Sequence, residues 1–172
     1  MDKPLINRVA NSGINVLNLE DYFPTKEIKE FDLKPYLFKE LILKEKDFRT
    51  ALKEIDWTAY SDKIVLVFNS NDAIIPVWAY MLVASYLSQH ADTIFQGSKV
   101  EYLKCHYANV IDKIETEKYQ DQRVVIKGCS NKPVPPFAYA AVTQKLKPFA
   151  QSIMYGEPCS TVPIFKRPRK LK

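Results

Sequence analysis

Glycine is scarce in this chain, with four residues in 172, at positions 13, 97, 128 and 156, against an ordinary usage of about 7%. Neither G-x-G-x-x-G nor G-x-x-x-x-G-K-[ST] can be assembled from those positions, which excludes the common phosphate-cradling loops. Cysteine is rarer still, at three. An odd count without Cys-x-x-Cys provides no disulfide framework, no thioredoxin-type motif and no four-ligand zinc site within one chain. Long apolar runs are missing too. The longest, Ala73 to Ala84, is interrupted by Pro76 and falls short of the about 20 residues that a membrane helix needs. Met1 to Arg8 carries no apolar signal segment, so the expected location is cytoplasmic, away from membranes, with thiols reduced.

What is present is a balanced globular composition, 47% hydrophobic and 26% charged, which predicts a single folded domain over residues 1–165. The net charge of +5 comes from the end: Lys166, Arg167, Arg169, Lys170 and Lys172 follow one another without an acid, and the body before them is neutral. Residues 166–172 are therefore expected to form a solvated, disordered basic tail, and a nucleic-acid partner is disfavoured.

The clearest pattern begins at Ile64-Val65-Leu66-Val67-Phe68, an apolar run of strand length closed by Asn69-Ser70-Asn71-Asp72, residues that favour turns and helix starts. A helix is predicted from Ala73 to about His90, a strand at Thr93 to Gln96, a helix from Ser98 to Ile114 and a strand from Arg123 to Lys127. After a proline-rich loop, Ala138, Val142, Leu146 and Phe149 recur at helical spacing, and Ser152 to Tyr155 reads as another strand, ended by Gly156. Such alternation predicts an α/β three-layer sandwich with a mostly parallel, Rossmann-like sheet over residues 61–165. Residues 1–60 read as an α+β extension adding edge strands. In it Val16 to Tyr22 and Glu27 to Leu33 are expected to pair as a hairpin, and Phe48, Ala51, Leu52 and Ile55 mark a helix.

Gly97, Gly128 and Gly156 each follow a predicted strand, and the carboxyl ends of parallel strands share one edge, where open α/β sheets bind ligands. Two of the three cysteines fall there with the same spelling, Cys-Ser-x-x-Pro: Cys129-Ser130 and Cys159-Ser160. The candidate ligand-binding set is therefore Asn69, Asn71, Asp72, Gly128, Cys129, Ser130, Gly156, Glu157, Cys159 and Ser160. With strands about 4.8 Å apart, Cys129 and Cys159 come within shared-ligand distance if their strands are neighbours. Helix N-termini at the same edge favour thiolates and anions.

A Cys-His nucleophile has no support, since a base must lie within about 3 Å of the sulfur. His90 closes a helix at the opposite edge, and His106 sits about 12 Å down its own helix at about 1.5 Å per residue. No catalytic residue is assigned, and an enzyme is not expected. Two thiolates do not complete a zinc or iron–sulfur site, but a homodimer pooling Cys129 and Cys159 from each chain would, as would a cluster held transiently with an external thiol. Structural cysteines remain the competing reading.

The segments LINRVANSG at 5–13, LKEKDFRTALKEIDW at 43–57, AIIPVWAYML at 73–82, VVIKGCSNKPVP at 124–135 and SIMYGEPCSTVPI at 152–164 resemble a bacterial family, domain-of-unknown-function family 2480, over nearly the whole chain. Both cysteine segments match its pattern. The resemblance implies a setting among iron–sulfur cluster assembly genes, hence an accessory role in iron–sulfur or sulfur handling, with iron–sulfur assembly proteins as partners and Cys129 and Cys159 holding a cluster or metal ion. The alternative is a non-catalytic module binding a small anion or a protein partner, with cysteines that only pack.

Overall fold

The computed structural model describes residues 13–128 and 131–168. Cys129 and Ser130 lie outside the described residues, as do residues 169–172 of the expected tail. The fold is α/β, with four α-helices and two mostly parallel sheets of three or more strands. The chain divides into two compact units, residues 24–102 and residues 1–23 with 103–172.

In the 24–102 unit, β2 (Ile28–Asp32), β5 (Ile64–Phe68) and β6 (Thr93–Gln96) form a parallel sheet in the order β2-β5-β6. The central strand β5 buries Ile64, Val65, Leu66 and Val67, the continuous apolar pattern of a parallel strand covered on both faces. Between them run β3 (Leu37–Phe38) and β4 (Ile42–Leu43), a short antiparallel pair, and helix α1 (Glu45–Lys53). Helix α2 (Val77–Leu87) joins β5 to β6 and buries Ala79, Val83 and Leu87. These pack with Phe31, Leu33, Phe48 and Leu52 into one cluster. Alanine at any of the leucines costs about 2–5 kcal/mol.

The other unit holds β1 (Ile14–Asn18), β7 (Arg123–Lys127), β8 (Ser152–Glu157) and β9 (Ser160–Lys166) in the order β1-β7-β8-β9. The first three are parallel, and β9 returns antiparallel along β8 with an irregularity at Ile153 and Met154. Helices α3 (Lys99–Asp112) and α4 (Pro136–Leu146) complete the chain order. Tyr107 and Ile111 of α3 and Ala138, Val142 and Leu146 of α4 pack with Leu17, Leu19, Val124 and Ile153.

The strands and helices fall close to their predicted positions, but their assembly differs in four respects. The strands of residues 64–155 lie in two sheets rather than one. The hairpin expected between Val16–Tyr22 and Glu27–Leu33 does not form: β1 pairs in parallel with β7 and β2 with β5, so each supplies the edge strand of a different sheet. Helix α2 begins after Pro76 rather than at Ala73. Asn71 Oδ1 accepts the Ala73 N–H at 3.0 Å, an Asx turn that competes with helical bonding. Finally, the first residues of the expected tail belong to the fold. Lys166 closes β9, and Arg167 donates from Nη1 to Asp121 Oδ1 at 2.8 Å and from its backbone N–H to Gln151 O at 2.9 Å.

The two sheets also expose a repeat. The 3₁₀ turn Trp57–Tyr60 has its counterpart in Thr116–Tyr119, β5 in β7, α2 in α4 and β6 in the first part of β8, each displaced by 59 residues without a gap. In that register Pro76 falls on Pro135, Ala79 on Ala138, Tyr80 on Tyr139, Val83 on Val142, Leu87 on Leu146, Ile94 on Ile153 and Gly97 on Gly156. Local geometry follows suit. Asp62 and Asp121 both have positive φ, +58° and +55°, and their amides donate to His90 O at 3.1 Å and Phe149 O at 2.9 Å. Asn18 at the end of β1 and Asp32 at the end of β2 each accept the N–H two residues on. The chain thus carries two copies of one ββαβ unit.

Candidate functional site

The carboxyl ends of β1, β7 and β8 build a site that starts from a turn. Asn18 Oδ1 accepts the Glu20 N–H at 3.2 Å and caps the 3₁₀ turn Leu19–Tyr22. This turns the Glu20 side chain inward, where it is 8% exposed and is the one buried charged residue among the described residues. A buried carboxylate is costly unless hydrogen-bonded. Glu20 Oε1 accepts the Asn131 N–H at 2.8 Å, and Lys132 Nζ donates to the Glu20 backbone O at 3.2 Å. Glu20 therefore ties the turn after β1 to the loop after β7.

Gly128 makes that close approach possible. Its φ is +143°, and a Cβ there would lie 3.0 Å from Leu19 Cβ and 3.2 Å from the Glu20 amide nitrogen. Beneath the turn, Tyr107 donates its hydroxyl to Leu19 O at 2.9 Å. Burial, with the neighbouring Glu20 charge, pushes the Tyr107 phenol up to about 12. His106 Nε2 lies 2.7 Å from Tyr22 O. A carbonyl only accepts, so the ring donates from that nitrogen. This histidine holds the turn and is occupied in doing so.

On the β8 side, Gly156 does not end the strand as expected. The strand continues to Glu157, turns through Pro158-Cys159 and returns as β9, with Gly156 opposite Thr161 and Glu157 opposite Ser160. A Cβ at Gly156 would stand 2.7 Å from Ser160 O, so glycine is required by the hairpin. Glu157 pairs with Lys127 of the neighbouring strand at 3.3 Å. Cys159 is a free, exposed thiol in the turn, and Ser160 is exposed beside it.

Between α4 and the strands lies a cavity of about 590 Å³, lined by Ile126, Pro136, Tyr139, Ala140, Met154, Tyr155 and Ile164 among others. Tyr139 and Tyr155 meet edge to face with ring centroids 5.7 Å apart, a favourable aromatic geometry.

Of the candidate residues, Gly128, Gly156, Glu157, Cys159 and Ser160 come together at the ends of β7 and β8, while Cys129 and Ser130 lie outside the described residues. Asn69, Asn71 and Asp72 follow β5 and belong to the other sheet, so they do not share this edge as expected. There Asn69 Nδ2 donates to Asn71 O, Asn71 Oδ1 and Ala73 O, and Asn71 Nδ2 donates to Glu40 O at 2.8 Å. They shape a loop. Among the described residues no group of three or more His, Cys, Asp or Glu is placed to hold a metal ion, and no helix is long and apolar enough to cross a membrane. The residues that sequence reasoning missed are Glu20, Tyr107, Tyr139, Tyr155 and Lys127. Tyr139 alone had a signal, its match to Tyr80 at the repeat spacing.

The comparison with known proteins adds one match. A family model described as "Protein of unknown function (DUF2480)" covers residues 3–167. No curated protein and no solved structure matches the chain. With the model spanning both copies of the ββαβ unit and both cysteine segments, the chain belongs to the DUF2480 family.

Proposed function

We propose that the protein is a non-enzymatic binding module whose cavity at the ends of β7 and β8 takes a small molecule with an apolar, ring-sized body. The observation that carries this reading is the cavity itself. Its volume of about 590 Å³ lies in the range of small-ligand sites, which are apolar with a few polar groups at the rim. Tyr139 and Tyr155 supply aromatic walls, Ile164 and Met154 the apolar side, and Thr143 a polar side chain in the lining.

The test uses 8-anilinonaphthalene-1-sulfonate, an aromatic anion whose fluorescence rises in apolar sites. Titration should saturate at one dye per chain, and Ala140→Trp, which fills the cavity from an exposed helical position, should abolish the signal without lowering Tm. Undiminished dye binding in a folded Ala140→Trp variant would falsify the proposal.

A second reading is the accessory role in sulfur or iron–sulfur handling through Cys129 and Cys159. Two observations favour it: β7 and β8 are adjacent, which brings Gly128 and the turn bearing Cys159 to one edge, and Cys159 is exposed rather than packed. The measurement is metal and sulfide content after anaerobic purification, with Cys129→Ser and Cys159→Ser alongside. A preparation free of both, whose thiols react only after denaturation, would remove this reading.

A further inference from the structure

The two copies of the ββαβ unit differ at one edge. In the 103–172 copy, β8 is completed by β9, which runs antiparallel to it and sets Phe165 opposite Ile153. Ile153 is wholly buried as a result. In the 24–102 copy the equivalent strand, β6, pairs among the described residues only with β5. Its Ile94, the counterpart of Ile153, is only partly buried. The Thr93 and Gly97 amides bond toward β5, to Lys63 O and Val67 O. The alternation along a strand therefore turns the Ile94 and Gln96 amides outward.

The helix beside this edge is unfinished in the same sense. Pro136 and Ala140 of α4 line a cavity with Ile164 of β9. Their counterparts on α2 are Val77 and Met81, which are 73% and 68% exposed, with Ile74 at 91%. Val77 and Met81 stand in water on one stripe of α2, with Ile74 in the loop before it, and together these exposed apolar side chains mark an interaction surface. Nothing charged interrupts it: α2 reads VWAYMLVASYL and β6 reads TIFQ. An uncharged open strand edge is what soluble proteins normally protect.

We propose that β6 and α2 form the interface of a homodimer, in which the β6 edges of two chains pair antiparallel about a twofold axis. The antiparallel strand that β9 supplies to one copy is supplied to the other by a second chain. A twofold axis makes two identical edges antiparallel by necessity and sets each α2 beside its mate. Val77 and Met81 then meet the same residues of the second chain, a match that requires no charge complementarity.

Sedimentation equilibrium of the full chain over a wide concentration range tests this. The expected species has twice the chain mass. Met81→Lys and Val77→Lys, exposed positions at which folding is retained, place like charges across the axis and should weaken association by about tenfold or more. Gln96→Pro removes an outward amide and should do the same. Ala140→Lys, the counterpart of Met81 in the other copy, should leave the dimer intact. A chain that stays at single-chain mass throughout overturns the proposal, including one that associates only with a separate added strand peptide. So does a dimer that Met81→Lys and Val77→Lys leave unweakened while circular dichroism reports them folded.

Discussion

Gly128→Ala probes the contact that holds the site together. At φ +143° the new methyl group would stand 3.0 Å from Leu19 Cβ and 3.2 Å from the backbone nitrogens of Leu19 and Glu20. Leu19 is wholly buried, and the turn it belongs to is fixed by Asn18, Tyr107 and His106, so it has no direction in which to retreat. The strained dihedral costs about 1–3 kcal/mol and the crowding a similar amount. Reduced freedom of the unfolded chain returns about 0.4–1 kcal/mol. A net loss of about 1–5 kcal/mol follows, centred near 3, and that centre is roughly 6–12 °C in Tm for a chain of this size. Gly13→Ala is the control: its φ is +60° and nothing lies within 4 Å of the added methyl, so it carries the left-handed penalty of about 1–2 kcal/mol less the same unfolded-chain return, and no crowding. Urea denaturation of both variants reads the difference. If Gly128→Ala loses no more than Gly13→Ala, the close packing of the Leu19 turn on β7 is not what requires glycine.

Glu20→Ala leaves the Asn131 amide without its acceptor and should cost about 1–3 kcal/mol, with faster amide exchange at Asn131; a change within about 0.5 kcal/mol, the range of neutral surface substitutions, would refute the clamp. Tyr107 yields a pH dependence of definite sign. Its phenol titrates at about 12 in the folded chain and near 10.0 when unfolded, so the unfolded chain loses its proton first. The contribution is present below pH 10 and is lost as pH rises from 10 toward 12. Chemical denaturation across that window should show stability falling more steeply than in Tyr107→Phe. Equal slopes would contradict the assignment.

The elements of this protein were readable because each depends on near neighbours in the chain. Ile64 to Phe68 is apolar without interruption, and a strand buried on both faces requires that. Val100, Leu103, Tyr107 and Ile111 repeat at the helical period, and α3 forms over them. Turn geometry was less legible. Proline at 76 and the Asn69–Ala73 hydrogen bonds delay α2, a competition between side chain and backbone that residue type alone does not decide. The repeat was present in the sequence as identical residues 59 positions apart, while the conspicuous echo, Cys-Ser-x-x-Pro at a spacing of 30, is no part of it. In the repeat register Cys129 meets Ser70 and Cys159 meets Val100.

The sequence by itself determined the alternation of strands and helices, the α/β class and the placing of Gly97 and Gly128 directly after their strands, all local consequences of hydrophobic period and backbone freedom. Only the tertiary structure decided which strands are neighbours. That choice rests on contacts between residues far apart in the chain, such as Leu19 on Gly128 and Glu20 on Asn131. It sent β5 and β7 to different sheets, took Asn69, Asn71 and Asp72 away from the edge that holds Cys159, and turned an unremarked glutamate into the buried clamp of the site.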